Sequence, residues 1–554
     1  MKNNIKAYNS GSIPVIYEMC QTGNICEIIN ETVNWREDNT KVSPGILTES
    51  LIIGMISGRK PLWKMEEFWK KQDTNYLFGD KGIKAEQLND DAYGRLLDKL
   101  SNVNMQEIVS KLSLNLLKKH GETIKRAHLD TTSISVEGEY SENVDGDKFD
   151  LKRGHSKDHR PDLKQFKIGL AVQESGLPIM GELLSGNKSD KSWNPEAVKK
   201  MKNYFDGKGY DDIVYVGDSA TVSSYESLKD LENIKFISRF PENFKLVKDL
   251  KLKALEENNW TNSGMLDKDK SEKYFISSYE EEIENEKYRF VVVHSKELRK
   301  KKEKTIKRRD EKEKELLILE SNKLLKKEFA CDADARKEME EFISKKIKSR
   351  YTFENNVLEI VKSKYSKKGR PSKESQKQEF ISYHCEIKIG ERNVEDQNKQ
   401  IDLEGCFVLI TSLLDNSNYS AINILEEYKC QNSVELAFKF LKQPVYLGPI
   451  FLKNKRRVEA LGYIFILVLI IASFFEYKVR KSLKENKESF PQPRNRTTDR
   501  PTVKTILETF ENILILVIDG KRYYRTDEDK RLFKVIKWAG FDQDIYLKNS
   551  VFQN

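Results

Sequence analysis

The run Leu461-Gly-Tyr-Ile-Phe-Ile-Leu-Val-Leu-Ile-Ile-Ala-Ser-Phe-Phe475 limits what this chain can fold into more than any other segment, because it is apolar almost throughout. It is about three residues short of a convincing membrane span. A helix buried on all sides in a large core has the same appearance. The polar segment around Glu435, a few turns upstream, favours the buried helix, around which the rest of the chain must pack. At 554 residues the chain is too long for one ordinary core and predicts three or four modules.

Hydrophobic residues make up 38% and charged residues 33%, which describes a globular protein with much solvated helix surface. Lys and Arg exceed Asp and Glu by 97 to 88, a net +9 that favours polyanionic partners without specifying one. The six cysteines, Cys20, Cys26, Cys331, Cys385, Cys406 and Cys430, form no CxxC pair, as in a reduced cytosolic protein. No apolar signal region follows Met-Lys-Asn-Asn-Ile-Lys.

Residues 1–120 read as a helical N-terminal domain, with apolar periodicity through Leu47–Met55, Trp63–Trp69 and Leu88–Leu100 and with Asn89 as N-cap for the last. Such a module grips DNA or simply packs on the core. Residues 121–245 change to strands: Arg126–Val136, then Gln165–Gln173 and Leu177–Leu184 as a hairpin, a helix over Asn194–Phe205, and short strands at Ile213–Val216 and Lys235–Arg239. Thr221 or Ser223 is placed to cap the intervening helix. Residues 246–405 read as an α+β insertion with strands at Lys273–Ser278 and Lys287–His294, a charged helical tract from Glu297 to about Lys348, and a strand near Tyr383–Ile389. The core resumes over 406–480 with a strand at Cys406–Thr411, and 481–554 reads as a linker, Ser489–Thr498, and a small C-terminal module. The tract Lys300–Asp310 has the composition of a solvated helix face. Lys367-Lys-Gly-Arg-Pro-Ser-Lys373 is the better phosphate candidate, because its positive charge is unbalanced.

Three carboxylates carry the candidate chemistry. Asp130 lies within a strand, where an unpaired carboxylate is costly unless it is exposed or bound to a cation. Asp218 ends an apolar strand, where ligand sites of α/β sheets gather. Glu435 shares a helical stripe with Tyr428, Gln431, Lys439 and Lys442, while Cys430, Val434, Ala437 and Leu441 face a core. Hard carboxylate oxygens select Mg²⁺ or Mn²⁺, and two such ions can activate a hydroxyl and absorb charge at a phosphorus. The stripe would then meet DNA: Lys439 and Lys442 on phosphates, Tyr428 stacking on a base or holding a phosphate, Gln431 on the backbone. A second basic patch holds Arg153, His155, Lys157, His159, Arg160 and Lys164. Gly154 and Pro161 argue against the helix that a zinc pair of His155 and His159 would need, which leaves a basic loop near the site.

The pattern Tyr428-x2-Gln431-x3-Glu435-x6-Lys442 resembles the signature of DDE transposases of the IS-four superfamily. His155-Ser-Lys-Asp-His-Arg-Pro-Asp-Leu-Lys-Gln165, Ser185-Gly-Asn-Lys-Ser-Asp190 and Asn89–Lys99 are similar to its branch named for insertion sequence sixteen-thirty-four. The resemblance runs from about residue 11 to 480 and implies an α/β fold with a ribonuclease-H-like core, a mixed sheet with flanking helices interrupted by the insertion. It implies Asp130, Asp218 and Glu435 holding two Mg²⁺ ions, with Mn²⁺ as substitute, for cleavage at the ends of a mobile element and strand transfer of the 3′-hydroxyl. The partners implied are double-stranded DNA, as terminal inverted repeats and target, and a second copy in the DNA complex. The setting implied is the bacterial cytoplasm and its nucleoid, without a membrane. Gln431 stands where the signature has Arg, removing a charge and a bidentate phosphate fork, a change that either weakens activity or is compensated by Lys439 or Arg456, beside Arg457. A nuclease that cannot join strands and a transposase-derived DNA-binding protein are the alternatives.

Overall fold

A computed structural model describes the chain except for residues 1–4, 39, 59, 80–81, 141–148, 158–159, 211, 263–273, 347–350, 366–376, 443–449, 451, 512, 525–529, 543 and 548–554. The fold is mixed α/β, organised on a nine-stranded sheet. Its strands run in the order Pro178–Ser185, Lys164–Gln173, Arg126–Val136, Val214–Gly217, Phe236–Arg239, Cys406–Thr411, Glu286–Ser295, Tyr274–Ile283 and Thr261–Asn262. Pairing is parallel from Arg126–Val136 to Val214–Gly217 and on to Phe236–Arg239. All other neighbours are antiparallel.

Helix Lys455–Glu485 contains the apolar run and is long and apolar enough to cross a membrane, yet 89% of its apolar window is buried inside the protein. It packs against the Pro178–Ser185 strand and against helices Ile13–Gly23, Pro44–Ile56, Asp90–Leu100 and Met105–Lys119. The apolar periodicity of the N-terminal residues is thus satisfied by this helix. Asn89 caps Asp90–Leu100 as the sequence suggests, its Oδ1 accepting from the Ala92 N–H at 2.9 Å. The Asp98 carboxylate receives both Nε and Nη2 of Arg457 at 2.7 Å, and Ser113 Oγ donates to the Pro178 carbonyl at 2.8 Å. Arg457, one of the candidate DNA contacts, therefore ties two helices together.

Two sequence-drawn boundaries look different in three dimensions. The interval 246–405 divides: its strands Tyr274–Ile283 and Glu286–Ser295 extend the central sheet, so the sheet does not stop at residue 245. An arm follows, built of helices Lys296–Leu325 and Asp332–Lys346 and the hairpin Tyr351–Tyr365/Lys377–Arg392, around a small core of Leu324, Ala335, Met339, Cys385 and Ile387. The basic loop at 367–373 lies outside the described residues. After helix Lys455–Glu485, the presumed linker holds a short hairpin, Phe490–Gln492 with Arg496–Thr498. The C-terminal strand Leu514–Ile518 then pairs with Ile5–Asn9, and Ile515, Val535, Ile536, Trp538 and Tyr546 are buried in the main core. Pairing of chain ends more than 500 residues apart leaves no local sequence signal.

Candidate active site

Beyond the parallel pair His128/Val216, the same register brings Asp130, in the middle of its strand, beside Asp218, one residue past the end of the neighbouring strand. Both are partly buried. Burial raises the Asp130 pKa, opposed by Lys157 and the Thr131 N–H and reinforced by Asp218. Burial likewise raises Asp218, opposed by the Ala220 N–H and reinforced by the charge of Asp190. Asp218 Oδ1 accepts from Ala220 N–H at 2.9 Å and from Asn194 Nδ2 at 3.2 Å. Ser238 Oγ, on the next strand, donates to the Asp218 carbonyl at 2.8 Å.

Asp190 is a third aspartate of this pocket, which periodicity and strand-end reasoning missed although it closes the quoted Ser185–Asp190 motif. Its Oδ1 accepts from Thr131 Oγ1 at 2.7 Å and from Lys167 Nζ at 2.9 Å. Burial opposes, but these two donors hold its pKa below the ordinary carboxylate value. Gly186 starts the turn into this motif because an added Cβ would strike the Gln165 and Lys152 carbonyl oxygens at 2.1 and 2.3 Å. Lys167 and Asn194 were also missed; a lysine inside the apolar Lys164–Gln173 strand was the available signal.

The polar stripe does not lie on one helix. Ala421–Lys429 ends at Cys430, and a new helix runs from Asn432 to Leu441. At the junction Gln431 N–H bonds the Tyr428 carbonyl and Val434 N–H the Gln431 carbonyl, three-residue spacings that tighten the backbone. The break has a packing cause. Ala421–Lys429 inserts Ile424 and Leu425 into the core over Val214, Ile237, Val291 and Leu409. Asn432–Leu441 instead covers the Arg126–Val136 and Lys164–Gln173 strands and touches Lys455–Glu485. Val434, Ala437 and Leu441 face the core as expected, whereas Cys430 is exposed.

Despite the break, Tyr428 and Gln431 stay at the aspartates. Gln431 Nε2 donates to the Leu129 carbonyl, next to Asp130, at 3.5 Å. The Tyr428 hydroxyl is raised by burial, opposed by its hydrogen bond to Arg239, and feels the charges of Asp218 and Glu435. Arg239, another residue the sequence reading missed, ends the strand beside Asp218 and lies 5.3 Å over the Phe407 ring. Arg126 Nε binds Glu427 Oε2 at 2.5 Å, joining the start of the Asp130 strand to the Tyr428 helix.

Glu435 is exposed on the first turn of its helix. Among the described residues, no group of three or more His, Cys, Asp or Glu side chains is placed to hold a metal ion. The expected three-carboxylate cluster is thus not gathered around one point. Like charges do not close on one another unaided, and the counter-charge at Asp130 is Lys157 Nζ, 3.3 Å from Oδ1. The donor set still suits a hard cation: two partly buried carboxylates of raised pKa are neighbours, and Asp218 is bonded by Asn194, whose buried Oδ1 has no hydrogen-bond partner. His128, buried on the Asp130 strand with neither ring nitrogen hydrogen-bonded, is held neutral by burial, its pKa lowered to about 4.

The remaining candidates scatter. Arg153 and His155 are exposed on the loop leading to Lys157, and His159 lies outside the described residues. Arg160 pairs with Asp162 at 2.7 Å, and Lys164 Nζ donates to the Tyr140 carbonyl, so both have partners within the protein. Lys439 and Arg456 are exposed, and Lys442 ends its helix half-buried.

No curated protein matches the chain. Residues 6–114 match a family described only as a domain of unknown function, DUF4277. Residues 124–471, more than half of the chain and including Asp130, Asp218 and Glu435, match the family model of the transposase DDE domain; the chain belongs to this family of transposases.

Proposed function

We propose that the protein cleaves DNA at the ends of a mobile element and transfers the 3′-hydroxyl into target DNA, with Asp130, Asp218 and Glu435 as ligands of two Mg²⁺ ions. The observation that carries this reading is the pair of partly buried aspartates, adjacent on parallel strands, beside Tyr428 and Gln431. Bound divalent ions would supply an activated hydroxyl and neutralise charge at the phosphorus. The protein's own groups do the positioning. Asn194 and the Ala220 N–H fix the Asp218 carboxylate, Arg239 holds the Tyr428 hydroxyl, and the Gln431 amide anchors the helix junction on the Leu129 carbonyl. Glu435, exposed on the first turn of the helix that follows, would complete the ligand set.

The strand sequence Pro178–Ser185, Lys164–Gln173, Arg126–Val136, Val214–Gly217, Phe236–Arg239, three antiparallel strands followed by two parallel to the third, supports a ribonuclease-H-like core and the IS-four assignment. On this reading the arm is the insertion, double-stranded DNA and a second copy are the partners, and the enzyme works in the cytoplasm on the nucleoid. Arg153, His155, Lys157, Lys439, Lys442 and Arg456 are the phosphate contacts we retain. A transposase-derived DNA-binding protein is the second reading, favoured by Gln431 in place of Arg.

Purified protein with labelled element ends and Mg²⁺ separates these readings. Strand-transfer products support the first, cleavage alone a nuclease, and binding alone the second reading. Glu435→Ala is expected to abolish cleavage, and full metal-dependent cleavage by that variant would remove Glu435 from the site. Gln431→Arg is expected to tighten end binding and steepen its salt dependence by about one unit; an unchanged slope would mean that a side chain at this position does not reach a phosphate.

A further inference from the structure

We propose that Lys157 is an internal cation that competes with the divalent ion for Asp130 and, once displaced, turns outward to the DNA. This rests on the reading of Asp130 and Asp218 as metal ligands. Lys157 Nζ lies 3.3 Å from Asp130 Oδ1 and donates to the Thr131 carbonyl at 2.5 Å. Its charge acts on Asp130, Asp190 and Asp218 together.

Two features make it a displaceable group and not a structural one. Its backbone N–H donates to Ser133 Oγ at 2.8 Å, so the chain is anchored independently of the side chain. The side chain itself keeps 36% of its surface in solvent, against 8% for Lys167, which is bound to Asp190 at 2.9 Å. Lys157 can therefore swing out without unpacking anything, whereas Lys167 cannot.

An ammonium and a divalent ion on the same carboxylate oxygen repel one another, so each lowers the other's occupancy. Coupling of this kind is reciprocal. Loading of the metal ejects Lys157 to the rim beside Asp130, where its charge meets an incoming phosphate. Removing the ammonium must then tighten metal binding, the opposite of what a lysine that merely supports the site would do.

The test is a calorimetric titration of the full-length protein with Mn²⁺, comparing wild type with Lys157→Met, Lys157→Arg, Asp130→Asn and Asp218→Asn. Lys157→Met is expected to bind Mn²⁺ about tenfold more tightly, equivalent to ~1.4 kcal/mol, and Lys157→Arg to stay near wild type. In wild type, acylation of lysines read by mass spectrometry is expected to accelerate at Lys157 on adding Mn²⁺ and to leave Lys167 unchanged. If both aspartate variants lose Mn²⁺ while Lys157→Met binds no tighter than wild type, the displacement proposal alone is overturned. If the aspartate variants bind as well as wild type, the metal-site reading falls and takes this proposal with it.

Discussion

Asp130 and Asp218 are placed where their charges are least comfortable. Burial raises both pKa values, and neighbouring aspartates add to the effect at each. A raised carboxyl pKa means that the folded protein holds its proton more tightly than the unfolded chain. The pair therefore favours folding most below the ordinary carboxylate range, and this contribution is lost as pH rises through the raised values. A cation between the carboxylates reverses the loss, so stability is given up at the residues assigned to chemistry. Asp218→Asn, without divalent ions, is expected to raise the unfolding midpoint at pH 7 by ~2 °C, with the gain shrinking toward pH 4. Wild type should be stabilised by Mn²⁺ and the variant should not. Thermal unfolding followed by circular dichroism at the two pH values reads this, and a lower midpoint for the variant at pH 7 would contradict the burial argument.

Elements bring these residues together, and here the sequence was informative to unequal degrees. Arg126–Val136 and Cys406–Thr411 appear with the limits that their apolar and β-branched residues suggest. Helix Asp190–Phe205 starts four residues before Asn194, because Ser189 caps it and Pro195 is tolerated in its first turns. The helix after Asp218 is capped by Ser224, one residue beyond Ser223. Periodicity placed Tyr428 and Glu435 on one continuous helix. It registers spacing, not which part of a twisted sheet each turn will meet, and the two segments dock on different strands. Asp190, Lys167, Asn194 and Arg239 escaped for a related reason: their partners are far away in sequence. The ion pair Arg126–Glu427 fixes the first of the docked helices. Burial raises the Glu427 pKa despite Arg126, so the carboxylate is only partly compensated. Glu427→Gln should therefore cost under about 1 kcal/mol, while Arg126→Ala, leaving a half-buried carboxylate without this partner, should cost about 2 kcal/mol. The double variant should recover most of the difference. Urea unfolding of the three proteins measures this; equal losses in both single variants would mean that the pair acts through packing alone.

Across the whole molecule, the ends of the chain and the arm differ in how they are held. Residues matching the domain of unknown function share one core with the sheet, through Lys455–Glu485 and the Asp98–Arg457 pair. The C-terminal residues close on the N-terminal ones through Ile5–Asn9 with Leu514–Ile518 and through Tyr546, whose hydroxyl donates to the Gly11 carbonyl at 2.7 Å. Removing either end exposes part of the long apolar stretch of Lys455–Glu485, and a large exposed apolar patch drives aggregation. The arm leaves and returns at one place. Arg299 binds Asp402 at 2.6 Å, Lys302 binds Glu404 at 3.3 Å, and at its base Gln397 Nε2 donates to the buried Asp310 at 2.7 Å, which also pairs with Arg392. Beyond that clasp the described residues of the arm form their own small core, and none of them is a buried member of the cores on the sheet. Replacing residues 314–390 by a short Gly-Ser linker is therefore expected to leave a soluble protein whose sheet unfolds cooperatively and whose Mn²⁺ affinity is within about twofold of wild type, ~0.4 kcal/mol. Deleting residues 1–120 or 500–554 is expected to give insoluble protein. Sedimentation and Mn²⁺ titration of the three shortened proteins decide the matter. A soluble, metal-binding protein lacking residues 1–120 would make the N-terminal helices a separate module, and an arm-deleted protein that aggregates would mean that the arm supports the sheet.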